Sequence, residues 1–516
     1  MPAHSIPRRY LASVLVEGGR IPLSLFPAIA AGQEPAQFSQ AALERMAKGR
    51  EVVDRVLASG RTVYGVNTGF GRLSDTVVEP SDLAQLQTNL VRSHACAVGE
   101  KLTEEETRLI LVLRANVFAT GGTGIRPETA STLLSLYSLG VLPAVPSLGS
   151  VGASGDLAPL AHVALVLIGE GEVWADGSFS PALAALRLAG IAPVELGPKE
   201  GLSLVNGTQV MLAVGGLALA KALRVARAAD VAAALSVDAL LGTDAAFRQD
   251  VCESRPHTGQ AVVGSRLRRL MAHSQIRESH RVGDSRVQDA YSLRCTPQVH
   301  GACLDTLEFA KNAVETETAS VTDNPLVFPE SDTIVSGGNF HGAPLAMAFD
   351  HARTAIAVLA SISERRTDRL VNPDLSEGLP PFLARNAGLE SGLMMPHVLS
   401  AALVNELRTT AHPASVDNTS TSGGKEDHVS MGMTSALLLR RAGELAARVV
   451  AVEMFAAVEG LEQRLPLQPG PNLAPAIERI RHYIPPLTGD RSTGSEIDSL
   501  AAAISDGEFD GFGDRP

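Results

Sequence analysis

The chain has 516 residues, of which 45% are hydrophobic and 4% aromatic, so it can bury a large core and is neither a disordered nor a fibrous protein. Its 44 Lys and Arg side chains against 56 Asp and Glu give a formal net charge of −12. This charge excludes a basic surface for nucleic acid or for an anionic membrane, and we expect a small-molecule partner.

The cysteines and the N-terminal stretch bear on the cell compartment. The four cysteines are Cys96, Cys252, Cys295 and Cys303. Their spacing contains no CxxC pair and is not the regular spacing of a disulfide framework, so we predict neither a zinc site nor a disulfide scaffold. Reduced cysteines of this kind favour a cytoplasmic location. Arg8-Arg9 begin a stretch similar to a twin-arginine signal, but its apolar run is too short for an export signal, so we interpret it as mature sequence. No run of about 18 apolar residues, the length of a membrane span, occurs.

The hydrophobic pattern predicts mostly helices. Ala and Leu dominate the composition, and apolar residues recur at helical spacing over 41–58, 210–241, 343–365, 389–412 and 435–463. We therefore expect a mainly α fold, in which a bundle of long helices follows a smaller mixed N-terminal region. The expected division is an N-terminal region at 1–205, a helical bundle body at 206–505 and an acidic, glycine-rich tail at 506–516 that is disordered.

The first candidate site is a glycine-rich loop, YGVNTGFG, at 64–71. Three glycines within seven residues let the backbone approach a ligand closely beside Tyr64. The glycine spacing differs from a dinucleotide fingerprint, and no strand, helix start and acidic residue accompany it, so a nucleotide-binding module is disfavoured. Further on, His94 lies in a helix predicted over 83–98; a single histidine in an apolar helix is usually a hydrogen-bonded core residue.

The stretch GSVGASGDLAPLAH at 149–162 can react with itself. Gly155 has no side chain to shield its amide nitrogen, which can add to the carbonyl carbon of Ala153. Loss of two waters then leaves Ser154 as an exocyclic methylidene on an imidazolone ring, which is an electrophile made without an external cofactor. The alternative is an ordinary glycine loop before a helix, with Asp156 as N-cap.

Four later strings also contain reactive or charged side chains. They are GLSLVNGTQ at 201–209, QDAYSLRC at 288–295, SGGNFHG at 336–342 and TSTSGGKEDHVSMG at 419–432. Taken singly, each is a turn or a solvated charged segment. His273 and His280 are seven residues apart and have no third ligand nearby in the sequence, so we infer no metal site.

Together these strings resemble the signatures of the aromatic amino acid ammonia-lyases, with matches near 64, 94, 154, 206, 291, 340 and 426 that cover nearly the whole chain. The resemblance implies an almost all-α fold of long helices and a homotetramer whose sites combine several subunits. It also implies a 4-methylidene-imidazol-5-one group formed from Ala153, Ser154 and Gly155, with no external cofactor and no metal.

The resemblance assigns the reacting groups. Tyr64 is implied as the base at the substrate's β-carbon, and we expect nearby dipoles or charges to lower its pKa from about 10. Tyr291 assists proton traffic, Arg294 pairs with the substrate carboxylate, and Gln288 is a further substrate-binding residue of the same string. Asn206 lies against both the substrate and the prosthetic ring.

The resemblance also points to the substrate. Histidine-specific members have Ser-His where this chain has Ser93-His94, and they have the acid that stands here as Glu426. His94 and Glu426 would bind the imidazole ring, while Phe340 would pack against the ligand and the prosthetic group. The implied reaction is the elimination of ammonia from L-histidine to give trans-urocanate. Lys425 departs from the family pattern, in which glutamine is more usual, and puts detail near the ring pocket in doubt.

Two alternatives remain open. The first is a tyrosine or phenylalanine ammonia-lyase or a 2,3-aminomutase of the same family, against which Ser93-His94 and Glu426 argue. The second is an inactive structural protein built on the same helical bundle, against which the intact Ala153-Ser154-Gly155 argues.

Overall fold

The computed structural model describes residues 13–71, 76–284 and 286–514. The Arg8-Arg9 stretch and the last two residues of the predicted tail lie outside these ranges. Every residue predicted for the site lies inside them.

Helices make up most of the described chain, as the composition predicts. The first nine α-helices are α1 (Phe26–Ala31), α2 (Gln40–Ala58), α3 (Leu83–His94), α4 (Glu104–Phe118), α5 (Pro127–Ser138), α6 (Leu157–Leu167), α7 (Ala182–Leu188), α8 (Glu200–Val205) and α9 (Gln209–Ala239). They are followed by α10 (Gln249–Glu253), α11 (Thr258–Leu270), α12 (Gln275–Ser279), α13 (Tyr291–Arg294), α14 (Thr296–Thr318), α15 (Ala343–Val371), α16 (Met394–Thr410), α17 (Gly432–Glu462), α18 (Ala474–Tyr483) and α19 (Gly494–Asp506).

The strands are short and form four two-stranded sheets among the described residues. They are β1 (Val14–Val16), β2 (Ala36–Phe38), β3 (Val98–Lys101), β4 (Pro146–Leu148), β5 (Glu172–Ala175), β6 (Ser178–Pro181), β7 (Leu326–Phe328) and β8 (Thr333–Val335). Strands β1 and β2 pair in parallel, and the other three pairs are antiparallel. Helix α3 ends at His94, earlier than its predicted end at 98, because Val98 already begins β3 and pairs with Leu148.

The chain divides into two compact units, each assembled from separate segments. Unit 1 consists of Met1–Leu217, Asn312–Met347 and Ala414–Ala436, and unit 2 contains the rest. The expected division at residue 205 is continuous in sequence, whereas unit 1 includes two later segments. These segments belong to unit 1 because the loops before α15 and α17 form hydrogen bonds with the Ala-Ser-Gly loop.

The long helices are buried core elements. Helices α9 and α15 are long and apolar enough to cross a membrane by length and composition alone. However, 78% and 61% of their most apolar windows are buried inside the protein, which is typical of core helices.

Residues 507–514, expected to be disordered from their composition, form consecutive turns in unit 2. Phe509 is buried, and the carboxylate of Asp514 accepts a hydrogen bond from Arg266 at 2.7 Å. Asp510 lies 3.7 Å from the Arg224 guanidinium. The tail therefore differs from the expectation because its acidic groups have arginine partners and one of its aromatic rings joins the core.

Candidate active site

The Ala-Ser-Gly loop connects β4 to α6 and lies directly on the turn between α8 and α9. Gly155 has a φ of +70°, and a Cβ at this position would come within 2.2 Å of the Gly207 carbonyl oxygen. The next amide, Asp156 N, donates to that same oxygen at 2.7 Å. Only glycine fits this combination of left-handed backbone and close approach. The sequence thus places its reactive tripeptide where the backbone is tightly held.

Asp156 fixes the loop to the start of α9. It stands at the N-cap position of α6, as expected, but its side chain does not cap that helix. Its two carboxylate oxygens instead accept from Ser150 Oγ and from Met211 N, each at 2.8 Å. Burial raises the pKa of Asp156 to about 6, and the donors from Met211 and Ser150 oppose the rise.

Two later loops of unit 1 hold the opposite side of the tripeptide loop. Met431 N donates to the Val151 carbonyl at 2.8 Å, and the hydroxyl of Ser430 donates to the Gly152 carbonyl at 3.0 Å. Gly342 N donates to the same Gly152 carbonyl at 3.2 Å. The strings SGGNFHG and KEDHVSMG therefore meet the Ala-Ser-Gly loop, although they are far from it in sequence.

Ser154 and Glu426 are in direct contact. Ser154 Oγ donates to Glu426 Oε1 at 2.5 Å, and Thr421 Oγ1 donates to Oε2 at 2.7 Å. Burial pushes the pKa of Glu426 upward, but hydroxyls of Ser154, Thr421 and Ser422 outweigh burial and hold the pKa below its usual range. Glu426 is therefore a carboxylate at neutral pH, able to accept a hydrogen bond from an imidazole N–H.

His94 faces this carboxylate from the last residue of α3. Its Nδ1 lies 3.1 Å from Ser93 Oγ. Burial lowers the pKa of His94, while the Leu90 carbonyl and the charge of Glu426 oppose the fall. The imidazole is consequently neutral near pH 7 and presents one donor and one acceptor nitrogen. The structure thus brings Ser154 and Glu426 into contact and places His94 where the charge of Glu426 acts on it.

Tyr64 lies in a half-buried turn after α2, and the expected direction of its pKa is wrong. The turn is anchored by Val66, which is buried in a cluster with Val52, Val53, Val56 and Val327. Burial raises the pKa of Tyr64; the Gly71 backbone opposes the rise, and the carboxylates of Glu426 and Asp323 add to it. The sequence predicts that nearby dipoles or charges lower this pKa. In the fold, the charges that act on Tyr64 are the carboxylates of Glu426 and Asp323, which raise it.

Asn206 is buried between the tripeptide loop and the segment that follows α14. Its Nδ2 donates to the Asn324 carbonyl at 3.0 Å, whereas its Oδ1 is buried without a hydrogen-bond partner among the described residues. Asn324 Oδ1 in turn accepts from Gly337 N at 2.9 Å and so holds the loop that carries Phe340, which is half-buried. An unpaired buried amide oxygen is costly and is expected to receive a donor.

The three predicted residues of the QDAYSLRC string belong to unit 2 and are described by themselves. Gln288 is exposed, and the ring of Tyr291 is 72% exposed. The Arg294 guanidinium carbon lies 4.6 Å from the centre of that ring, a cation–π contact. Arg294 Nε is buried without a partner among the described residues, so the guanidinium has a free donor.

Sequence reasoning missed several polar residues that hold the site. Thr421 is part of a quoted string but received no role, and it supplies the second donor to Glu426. Arg114 is fully buried and donates to the Asn206 carbonyl at 2.8 Å. Buried Lys199 pairs with Asp323 at 2.8 Å. The available signal was a charge within an apolar helical run, as in LVLRANVF at 111–118.

Comparison with known proteins gives a consistent family. The model of the family described as aromatic amino acid lyase matches residues 22–482. The chain is 48% identical over 496 residues to a histidine ammonia-lyase from Myxococcus xanthus, covering 96% of this chain and 97% of the relative. It is 46% identical to a histidine ammonia-lyase from Geobacillus thermodenitrificans, with 91% and 93% of the two chains covered.

Solved structures give the same result for the fold. The histidine ammonia-lyase from Trypanosoma cruzi matches with a TM-score of 0.89 and 40% identity, covering 96% of this chain and 94% of that one. A tyrosine aminomutase from Streptomyces globisporus matches with a TM-score of 0.91 and 36% identity, covering 96% and 98%. The mainly α fold expected from the sequence is therefore confirmed.

Proposed function

The chain belongs to the aromatic amino acid lyase family, and from this premise we propose that it is a histidine ammonia-lyase, which converts L-histidine to trans-urocanate and ammonia. The observation that carries the choice of substrate is the ionised Glu426 beside a neutral His94, next to Ser154. A carboxylate and a neutral imidazole can bind both nitrogens of the substrate ring. The full-length relatives named as histidine ammonia-lyases support the same choice.

The residues at the Ala-Ser-Gly loop fit the methylidene-imidazolone group of this family. Gly155 and Gly207 approach so closely that no Cβ fits between them, and Asn206 Oδ1 is a buried acceptor in need of a donor. We propose that Ala153, Ser154 and Gly155 form the group and that Asn206 and Phe340 hold it. Once formed, it supplies an electrophilic carbon that makes the substrate's amino group a better leaving group.

Tyr64 is proposed to remove the β-proton of the substrate. Its raised pKa means that the resting phenol is protonated at neutral pH. The ammonium group of incoming histidine brings a positive charge close to the phenol, on which the carboxylates of Glu426 and Asp323 already act, and such a charge lowers the pKa of a phenol. Tyr64 is thus converted to a base by the arrival of the substrate, which limits unwanted proton transfer in the empty site.

Arg294 is proposed to bind the carboxylate of the substrate, and Tyr291 is proposed to assist proton transfer. The free Nε of Arg294 and its planar guanidinium suit a carboxylate, and Gln288 adds an amide donor. The exposure of Tyr291 leaves room for a neighbouring chain, in keeping with the proposal of a homotetramer with sites shared between subunits. We further propose a cytoplasmic location for the enzyme, because its cysteines are free.

A tyrosine-specific lyase or 2,3-aminomutase is the second candidate, because a tyrosine aminomutase shares the fold with a TM-score of 0.91. The two proposals differ at the ring end of the site, because a phenol ring has one hydroxyl and none of the two ring nitrogens that His94 and Glu426 are proposed to bind. The test incubates the purified enzyme with L-histidine, L-tyrosine and L-phenylalanine in parallel, follows the ultraviolet absorbance of each acrylate, and separates the amino acids by chromatography to detect a β-amino acid. We expect urocanate from histidine and little product from the others. A β-amino acid or coumarate as the main product would favour the second candidate.

A further inference from the structure

Arg114 lies beneath the turn that supports the reactive tripeptide. It belongs to α4, is fully buried, and its guanidinium is 4.9 Å from the ring centre of Phe118. Nη1 donates to Gln209 Oε1 at 2.6 Å, and Nη2 donates to the carbonyls of Asn206 and Ser203. One guanidinium therefore ties the end of α8 to the start of α9, across the turn that contains Gly207.

Gly207 is enclosed between Arg114 and the tripeptide loop. A Cβ on Gly207 would lie 2.3 Å from Arg114 Nη1. On the other side, a Cβ on Gly155 would lie 2.2 Å from the Gly207 carbonyl oxygen, and Asp156 N donates to that oxygen at 2.7 Å. The Gly207 backbone therefore lies between the guanidinium of Arg114 and the backbone of the tripeptide. If the Gly207 turn moved away from Gly155, the Ala-Ser-Gly loop would lose its support at the residue whose nitrogen must close the imidazolone ring.

The burial of Arg114 carries a desolvation cost. Burial lowers the pKa of Arg114 to about 10, with Asp323 opposing the fall, and its Nε has no partner among the described residues. A well-packed apolar side chain of similar volume is often as stabilising as a buried ion, or more so. What an apolar side chain lacks is the set of donors that hold the Asn206 and Ser203 carbonyls in place.

We propose that Arg114 is a positioning residue for formation of the prosthetic group, an inference that rests on the proposed function. In ring closure Gly155 N bonds to the Ala153 carbonyl carbon, whose oxygen leaves as water with the amide hydrogens of Gly155 and Ser154. Ser154 then loses its Cα hydrogen and its hydroxyl as a second water, giving the carbon–carbon double bond. Arg114 touches none of these atoms; it keeps the Gly207 carbonyl against Asp156 N while they react.

The test follows maturation directly, by intact mass, in freshly translated and folded enzyme. The variants are Arg114→Met, which removes all donors, and Arg114→Lys, which keeps the charge but not the planar fork. The matched control is Arg353→Met, because Arg353 is an equally buried arginine of unit 2 and pairs with Asp350. Only the folded fraction, isolated by gel filtration, is analysed for the loss of two water molecules over time.

We expect maturation of folded Arg114→Met to be slowed by about 10- to 100-fold, the effect of a misplacement of about 1 Å on a reaction between positioned groups. Arg114→Lys should be intermediate and Arg353→Met should mature at the wild-type rate. If Arg114→Met yields no folded protein, Arg114→Lys decides by the same criterion. Maturation of the Arg114 variants at the wild-type rate would overturn the inference and leave the proposed function intact. The inference would also be overturned if Arg353→Met matured as slowly as Arg114→Met, because the slowing would then follow from the loss of any buried arginine. An unprocessed wild-type chain would overturn the proposed function itself.

Discussion

Two parts of unit 1 meet at the Ala-Ser-Gly loop and are built in different ways. The supporting side consists of the Gly207 turn, Asp156 and Arg114, and its contacts are backbone or fully buried. The recognition side, residues 421–428, is mostly exposed and reaches Ser154 through the side chain of Glu426. We infer that the supporting side serves the chemistry common to the family and that the recognition side selects the substrate ring. Substitutions on the two sides should therefore have different consequences.

The largest effect is expected from Ser154→Ala, which removes the hydroxyl that the proposed prosthetic group needs for its second loss of water. Turnover of L-histidine should fall by at least about 10³-fold, as for loss of a covalent catalytic group in other enzymes. The fold should be retained, because the hydroxyl that is removed donates one hydrogen bond in the uncyclised chain, to the charged Glu426, worth about 1.5–3 kcal/mol. Activity assays and thermal unfolding measure the two effects. Retained turnover would show that the reaction does not depend on Ser154.

A smaller and more selective effect is expected from Glu426→Gln. The amide is a weaker acceptor than the carboxylate, so kcat/KM for L-histidine should fall by about 10- to 100-fold, equivalent to a charged hydrogen bond of about 1.5–3 kcal/mol. The loss of two waters at Ser154, measured by intact mass, should be unchanged. An unchanged kcat/KM would contradict the recognition role, and a failure to mature would mean that the two sides are not separable.

The same variant should change the titration of His94. The charge of Glu426 opposes the fall in the pKa of His94 caused by burial. Without that negative charge the imidazolium form is less favoured, so the pKa of His94 should be lower in Glu426→Gln than in the wild type. An NMR pH titration of the His94 ring, assigned with a His94→Gln variant, measures this. If the pKa of His94 stayed the same or rose, the charge of Glu426 would not act on the His94 ring, and the proposed interaction between them would be wrong.

The smallest effect is expected from Lys425→Gln, which restores the residue more usual in the family. Lys425 is exposed, and its ammonium group has no hydrogen bond or ion pair with the described residues. Kinetic constants for L-histidine should stay within about threefold and stability within about 0.5 kcal/mol, as for other surface substitutions. A larger kinetic change would place Lys425 in the recognition side and would revise its boundary.

Regular patterns were sufficient to predict several of the long helices, although α4, α14 and α19 were not predicted. The long apolar runs predicted α9, α15 and α17 because their spacing is continuous, and the quoted strings placed Ser154, His94 and Glu426 in one site. Properties that depend on contacts between segments far apart in the chain could not be predicted from the sequence. The pKa of Tyr64 is raised by burial and, to a smaller extent, by Glu426 and Asp323, and the order of the tail depends on Arg266 and the burial of Phe509.

Arg114 illustrates the same limit most clearly. In the sequence it is one charge in an apolar helix, and nothing local identifies its partners at 203, 206 and 209. Those partners become apparent only when α4 packs beneath the junction of α8 and α9. Sequence motifs therefore supplied the candidate reacting residues, while the structure was needed to find the residues that contact and hold them.

The most direct test of the account is the intact mass of freshly purified wild-type enzyme, followed by mass analysis of the peptide that contains residues 149–162. The account predicts that the chain is lighter than its sequence by two water molecules and that the whole deficit lies in Ala153-Ser154-Gly155. A chain of full mass, or a deficit located in another peptide, would contradict it.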